Sequence, residues 1–273
     1  MQWSRVKSIL VVILVIVDAF LLATLLGGYV VEHKRENDKT EHFISVLQGK
    51  SVSTGEEFYL PKMQSLPMLE VDRSKNDEDA FTKGLLGEEM ERTEDSDGNT
   101  LYSNAMGTLQ WGSDGKLTGY FTPDGYQMPS GERDIRVLTA KILERCGISS
   151  SIQIEVDLAS NCASAAFDTA GAPVFNRFLK FSFGERQVIV GGWWTFQTPY
   201  MVQTNNYVNC EAADAILALL KEETSVSKIE SAELGYVLTD TTGRRTSIVP
   251  CCRILTDRGE FFVDSLKNIV IYR

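Results

Sequence analysis

The residues able to do acid–base or nucleophilic chemistry are few, and their spacing suits it poorly. The only histidines are His33 and His42, both beside a long apolar run near the start of the chain. A Ser-His-Asp or Cys-His device in the remainder therefore lacks its base, and a histidine zinc site lacks its ligands. No P-loop, G-x-G-x-x-G or G-x-S-x-G pattern is present. Asp95-Ser96-Asp97-Gly98-Asn99 has the acidic alternation of a calcium loop, but Thr100 stands at the sixth position and Met106 at the twelfth, where Gly and Glu are needed. An exposed hairpin turn is the simpler reading. Glu88-Glu89 and Glu222-Glu223 read as solvated faces. A pair of carboxylates can cleave a glycoside without histidine, so that alternative stays open.

Five cysteines, Cys146, Cys162, Cys210, Cys251 and Cys252, include no C-x-x-C pair. An odd number leaves at least one thiol unpaired within a monomer. Buried small hydrophobes are the favoured role, with a Cys146–Cys162 bridge as the alternative. None of these patterns asks for a cofactor or a metal. Two features point instead to contact with a partner. Trp193-Trp194 falls in a strand-like run, so the two rings should leave on opposite faces, one toward the core and the other onto a groove or partner. Asp18 puts a carboxyl near the middle of the apolar run. At that depth in a bilayer it is costly, and it reads as a helix–helix contact rather than a protonated acid tolerated by a very apolar helix.

The elements that position these residues begin with that run, 8–31. About 20 apolar residues at 1.5 Å each span the roughly 30 Å hydrocarbon layer. The run is longer than a signal-peptide core and has no A-x-A-like site after it, so an uncleaved transmembrane anchor is expected. Basic residues flank both ends: Arg5 and Lys7 before, His33, Lys34, Arg35 and Lys39 after. A long domain behind a signal-like segment is normally translocated, which favours a cytoplasmic tail at 1–7 and an extracytoplasmic main region. The chain has 273 residues, 43% hydrophobic and 23% charged, with a formal net charge of −10. This is globular composition, and its acidity argues against nucleic acid as a partner.

A juxtamembrane helix or linker is expected at 32–50, with Phe43, Ile44 and Leu47 as an apolar stripe and Gly49 as its stop. The stretch 51–76 is irregular, and 73–79 looks like a solvated loop or the start of a helix. A β-rich part, 51–128, follows, punctuated by Asp97-Gly98, Asp114-Gly115 and Asp124-Gly125. Its strands are expected around Leu101-Tyr102 and over Gly107–Trp111 and Lys116–Phe121. A helix at 132–146 precedes strands at 151–157, 162–167, 177–183 and 187–196, with a turn at Gly171-Ala172-Pro173. A second helix at 210–222, capped by Asn209, precedes strands at 227–239, 246–256, 260–264 and 269–272, with turns at Thr241-Thr242-Gly243 and Asp257-Arg258-Gly259. Helix-then-strands thus occurs twice, in units at 129–200 and 205–273. The expected class is α+β, with helices packed on mainly antiparallel sheets.

Several short motifs bear a family resemblance. Met1-Gln2-Trp3-Ser4-Arg5-Val6-Lys7 running straight into the apolar segment resembles the start of the YycI family of Gram-positive bacteria, and Asp18 stands where members often carry an intramembrane Asn. Pro173-Val174-Phe175-Asn176, Leu234-Gly235-Tyr236, Pro250-x-x-Arg253-Ile254 and Phe261-Phe262-Val263-Asp264 are similar to elements of the same family in the same order. Cys251-Cys252 departs from it, as does the absence of a Gly-Glu ending after Asp264, and 50–165 matches little. The resemblance implies a divergent, non-enzymatic regulator. It would act with a sensor histidine kinase of the WalK (YycG) type and a YycH-like protein through membrane helices and extracytoplasmic contacts. The competing classes are an extracytoplasmic ligand-binding module and a carboxylate-dependent cell-wall enzyme.

Overall fold

The computed structural model describes residues 14, 15, 17, 18, 20–22, 35, 37–148, 152–201, 203–239 and 245–272. A helix over 37–49, α1, is followed by β1 (Ser53–Thr54), β2 (Gln64–Pro67), β3 (Leu69–Asp72) and α2 (Lys75–Leu86). Next come β4 (Glu91–Glu94), β5 (Thr100–Asn104), β6 (Gly107–Trp111), β7 (Lys116–Phe121) and α3 (Glu132–Arg145). Then β8 (Ile154–Asp157), β9 (Cys162–Thr169), β10 (Ala172–Phe183), β11 (Val188–Trp193) and β12 (Tyr207–Cys210) lead to α4 (Ala212–Glu222). The chain closes with β13 (Lys228–Leu238), β14 (Arg245–Thr256), β15 (Gly259–Asp264) and β16 (Ile269–Tyr272).

The fold is α+β and dominated by sheet. Among the described residues 14 strands join in one sheet, and β2 and β12 pair separately. The large sheet has two halves. One runs β8-β9-β10-β11-β7-β6-β5-β4 and is antiparallel throughout. The other is the antiparallel series β13-β14-β15-β16, extended by β3 against β14 and by β1 running parallel to β13. β10 belongs to both. Phe178–Phe183 of β10 ladder with β11, while Val174 meets Tyr236 of β13 in a parallel bridge.

Strand alternation sets which face is buried. Gly107, Leu109 and Trp111 of β6 point inward with Leu117 and Phe121 of β7 and Val188 and Val190 of β11. Phe81, Leu85 and Leu86 of α2 and Ile135, Ile142 and Leu143 of α3 pack on that face. A second core joins Phe43 and Leu47 of α1 and Ala215, Ile216 and Leu219 of α4 to Leu234, Tyr236, Ile248, Ile254 and Phe261 of the other half. Each fully buried Leu, Ile or Phe contributes about 1.5–3 kcal/mol, so each half carries its own stabilising core.

The order of a helix followed by four strands appears three times: α2 with β4–β7, α3 with β8–β11, and α4 with β13–β16. The strands β5, β6 and β7 of the first stand where the sequence places them, whereas α2 begins in the stretch 73–79 that looks like a solvated loop or the start of a helix. The irregular stretch 51–76 holds β1, β2, β3 and the start of α2. Asn209 does not cap α4: it lies in β12 opposite Ser65, and Glu211 takes the N-cap position without a side-chain hydrogen bond. Pro173 is inside β10, and the turn before it is Ala170-Gly171, with φ of 50° and 78°. Both residues in the left-handed region make the tight connection that matches strand twist. The Asp95–Asn99 segment is a hairpin turn, in which Asp95 Oδ1 accepts from the backbone N–H of Asp97 and of Asn99.

Most of the apolar run at 8–31 and the turn at Thr241-Thr242-Gly243 lie outside the described residues. Asp18 is helical and exposed, as are Leu14, Val15, Val17 and Phe20. No helix among the described residues is long and apolar enough to cross a membrane.

All five cysteines are free and buried, so no Cys146–Cys162 bridge exists. Cys146 caps the end of α3, whereas the Cys162 sulfur lies 3.1 Å from the Ser182 hydroxyl. Burial raises the Cys146 and Cys252 thiols from their ordinary 9.0 to about 12, and it raises Cys210 and Cys251 as well. The Tyr102 and Tyr236 phenols are raised for the same reason. The native state therefore holds protons that the unfolded chain releases above pH 9. The resulting stability is whole below that pH and drains away as pH rises toward 12. Urea unfolding at increasing alkaline pH should show a loss of about 1 kcal/mol per pH unit for each of Cys146 and Cys252, and Cys252→Ala should flatten the slope. A midpoint constant from pH 7.5 to 10.5 would count against this burial.

Candidate functional site

The site forms where the two halves of the sheet meet on β10. The register of β10 against β9 shifts between Val174 and Phe178, so Phe175, Asn176 and Arg177 leave the regular ladder. On the opposite edge, where β10 passes from β13 to β11, the Asn176 side chain supplies the pairing. Its Nδ2 donates to the Leu238 carbonyl at 2.8 Å, and its Oδ1 accepts from the Leu238 N–H at 2.9 Å. One side-chain amide thus does for β13 what a backbone unit would have done.

Phe175 locks the same junction from the other face of the sheet. Its ring lies 5.8 Å from that of Phe262, and the Arg253 guanidinium sits 4.7 Å over it. A Cβ at position 235 would come 2.6 Å from the Pro173 carbonyl and 2.7 Å from the Phe175 ring, so only Gly235 lets the strands approach. Tyr236, next in line, turns into the core, and its hydroxyl donates to the Pro67 carbonyl at 3.2 Å. The motifs around Pro173–Asn176, Leu234–Tyr236, Pro250–Ile254 and Phe261–Asp264 therefore pack together, although nearly 90 residues separate the first from the last.

Beside this junction the halves diverge and leave a cleft of about 570 Å³. Asn176, Arg177, Leu238 and Thr239 lie along the junction itself, and Trp193, Trp194, Thr195 and Phe196 line the cleft where β11 ends. Asp72 to Ser74, with Glu78, bring in the β3–α2 connection, and Ser113 to Gly115 bring in the β6–β7 turn. That connection is well fixed. Ser74 caps α2 by accepting from the Asp77 N–H at 3.3 Å. Arg73 binds Glu78 through two nitrogens, at 2.6 Å and 3.0 Å, and also donates to the carbonyls of Gly112 and Ser113. Phe196, Phe81 and Trp111 form a ring cluster with centroids 5.5–6.0 Å apart, and the Trp111 indole donates to Thr82 at 2.9 Å. The segment after β11 is thereby tied to α2.

Both tryptophans are half-buried and both line this cleft. Trp194 packs against the first core and meets Phe167 edge-on at 5.5 Å. Trp193 stands outside that core with the Lys116 ammonium 4.8 Å over its ring. Neither indole N–H has an acceptor among the described residues. Asp18 has no hydrogen-bond or ion-pair partner among them and is not part of this site. The sequence did not single out Asp72, Arg73, Arg177, Thr195 or Phe196. The available signals were the Asp114-Gly115 turn and the Asn176 of the Pro173–Asn176 motif, both of which border the cleft. Among the described residues no group of histidine, cysteine, aspartate and glutamate is placed to hold a metal ion.

No known protein family and no curated protein matches the sequence. Solved structures give distant likenesses. One is an uncharacterized protein from Eubacterium rectale, at TM-score 0.42 and 10% identity, covering 81% of this chain and 89% of the other. Another is the Bacillus megaterium YpeB C-terminal domain, at TM-score 0.37 and 11% identity, covering 74% and 97%.

Asn176→Leu keeps the branching at Cγ and removes both hydrogen bonds to Leu238. The expected cost is about 2–3 kcal/mol in chemical denaturation, with a red shift of tryptophan emission as the cleft loosens. Unchanged stability and emission would show that the amide does not hold the halves together.

Proposed function

We propose that this chain is a non-enzymatic, membrane-anchored regulator of a cell-wall two-component system, a divergent relative of the YycI proteins. It would modulate a WalK-like sensor histidine kinase, together with a YycH-like protein. In this reading 8–31 crosses the membrane once with the N-terminus inside, and the sheet lies outside the cell. The helix-plus-sheet units that begin at α3 and α4 are related repeats of one arrangement.

The observation that carries the proposal is the packing of the motif residues on which the resemblance rests. Pro173, Phe175, Asn176, Gly235, Tyr236, Arg253 and Phe262 come from four separate segments, and each makes a specific contact at the junction. Three of these segments lie on the consecutive strands β13, β14 and β15, and the approach of β10 to β13 brings the fourth to them. The 43–47 stripe adds support, because it ties the segment after the apolar run directly to the second core.

Contact with the kinase is assigned to Asp18 within the membrane and to Trp193 and Trp194 outside it. A carboxyl in hydrocarbon gains from a hydrogen-bond partner on a neighbouring helix, and such bonds average about 0.6 kcal/mol. Asp18 therefore tunes association rather than deciding it. Asp18→Leu should insert at least as well as the native chain but co-purify more weakly with the co-expressed kinase and change kinase output in cells, and Asp18→Asn should do so more mildly. Equal coupling for Asp18→Leu and the native chain would remove the intramembrane contact. Protease digestion of spheroplasts checks the orientation, since residues beyond 40 should be degraded.

A further inference from the structure

We infer that the cleft at the sheet junction binds a neutral saccharide, an oligosaccharide bearing acetamido groups, with Trp193 as its stacking platform. The volume of about 570 Å³ falls within the range of sites that enclose small molecules. What the lining groups already do determines which chemistry is left for a ligand.

The charges in the cleft are engaged with one another or with the backbone. Arg73 is held by Glu78 and two carbonyls. Asp72 lies 3.4 Å from the Arg245 guanidinium and 3.4 Å from the Tyr200 hydroxyl. Asp114 accepts from the Lys116 N–H within its own turn, and Arg177 donates to the Asn176 carbonyl. Phosphate sites need cations or backbone N–H groups aimed outward, and cation sites need carboxylates that are not spent. This lining suits a ligand without net charge.

The backbone of β3 and of Leu238 at the cleft is also engaged. β3 pairs with β14 on one side and meets Tyr200 on the other, and Leu238 is bonded by Asn176. An extended peptide takes its affinity from an open strand edge, and these strands offer none here. The groups left over are of two kinds. Two indole N–H donors lack acceptors among the described residues, and the hydroxyls of Thr195 and Thr246 border the same space. The flat rings of Trp193 and Trp194 supply apolar surface beside those donors. A pyranose ring has this pairing of properties, with an apolar C–H face and a rim of oxygens. An acetamido carbonyl is its strongest neutral acceptor for an indole N–H.

The inference uses the extracytoplasmic placement proposed above only for the source of the saccharide. Because Trp193 is also assigned to the kinase contact, saccharide binding is measured on this chain alone. The test titrates the full-length protein, in a detergent without a sugar head group, with the β-1,4-linked trimer of N-acetylglucosamine. Intrinsic tryptophan fluorescence and calorimetry are the readouts. The expected result is saturable binding with a change in emission. Trp193→Ala should weaken it about tenfold or more while leaving the denaturation midpoint in place, and Trp193→Tyr should restore part of it. Three results would each overturn the inference: no saturation up to about 10 mM, undiminished affinity in Trp193→Ala, or binding of a proline-rich peptide in place of the trisaccharide. If the trisaccharide fails while Asp18→Leu still uncouples the kinase, this inference falls and the regulator reading stands. If the trisaccharide binds while Asp18→Leu couples normally, the saccharide site stands and the intramembrane contact falls.

Discussion

One strand, β10, has to serve two sheets. A backbone edge can hydrogen-bond only one neighbour at each position, so the edge facing β11 must be handed over to β13 within a few residues. The handover leaves a gap in the ladder, and the Asn176 amide closes it. Much else depends on that closure. Gly235 has to be bare so that β13 can come close, and Phe175 fills the space its missing side chain leaves. Because the halves are joined along so short a line, each buries its helices in a core of its own. They diverge beyond the line, and the cleft is the result.

The electrostatics follow the same division between exposed and engaged groups. A net charge of −10 is spread over the surface, where pairs such as Lys75 with Glu94 contribute little. The pairing of Arg73 with Glu78 is different, because the Glu78 side chain is only 7% exposed and the contact is bidentate. It fixes the start of α2 against the β6–β7 turn, so one side of the cleft is rigid. The ring cluster of Phe81, Trp111 and Phe196 does the same for the segment after β11.

Strong periodicity made most of the second half of the fold legible. β6, β7, α3 and the last four strands stand within two residues of where their alternation or helical spacing put them. The misses have two causes. β1, β2, β3 and β12 are two to four residues long, too short for any period to show, and long-range pairing holds them. α2 was masked by its charge: Lys75-Asn76-Asp77-Glu78-Asp79 looks like a solvated loop until Phe81 and Leu85 find a core to face. Trp193 and Trp194 could be named from sequence as contact residues, but not their shared cleft. That depends on β3 and the β6–β7 turn, which are brought in from more than 70 residues away.

The pairing map also dictates an order of assembly. The half built on α2 and α3 is local, since most of its strands are hairpins or near neighbours. The other half is not: Ser53 of β1 pairs with Lys228, and Val71 of β3 with Thr246. High contact order makes such pairings late and slow. A chain emerging from its N-terminus can complete the α2–α3 half while α1, β1 and β3 still wait for their partners. The last strands to arrive then close over the first. The segment after the apolar run is thus held by strands far along the chain, and a truncation that removed β13 and β14 would leave β1 and β3 without partners.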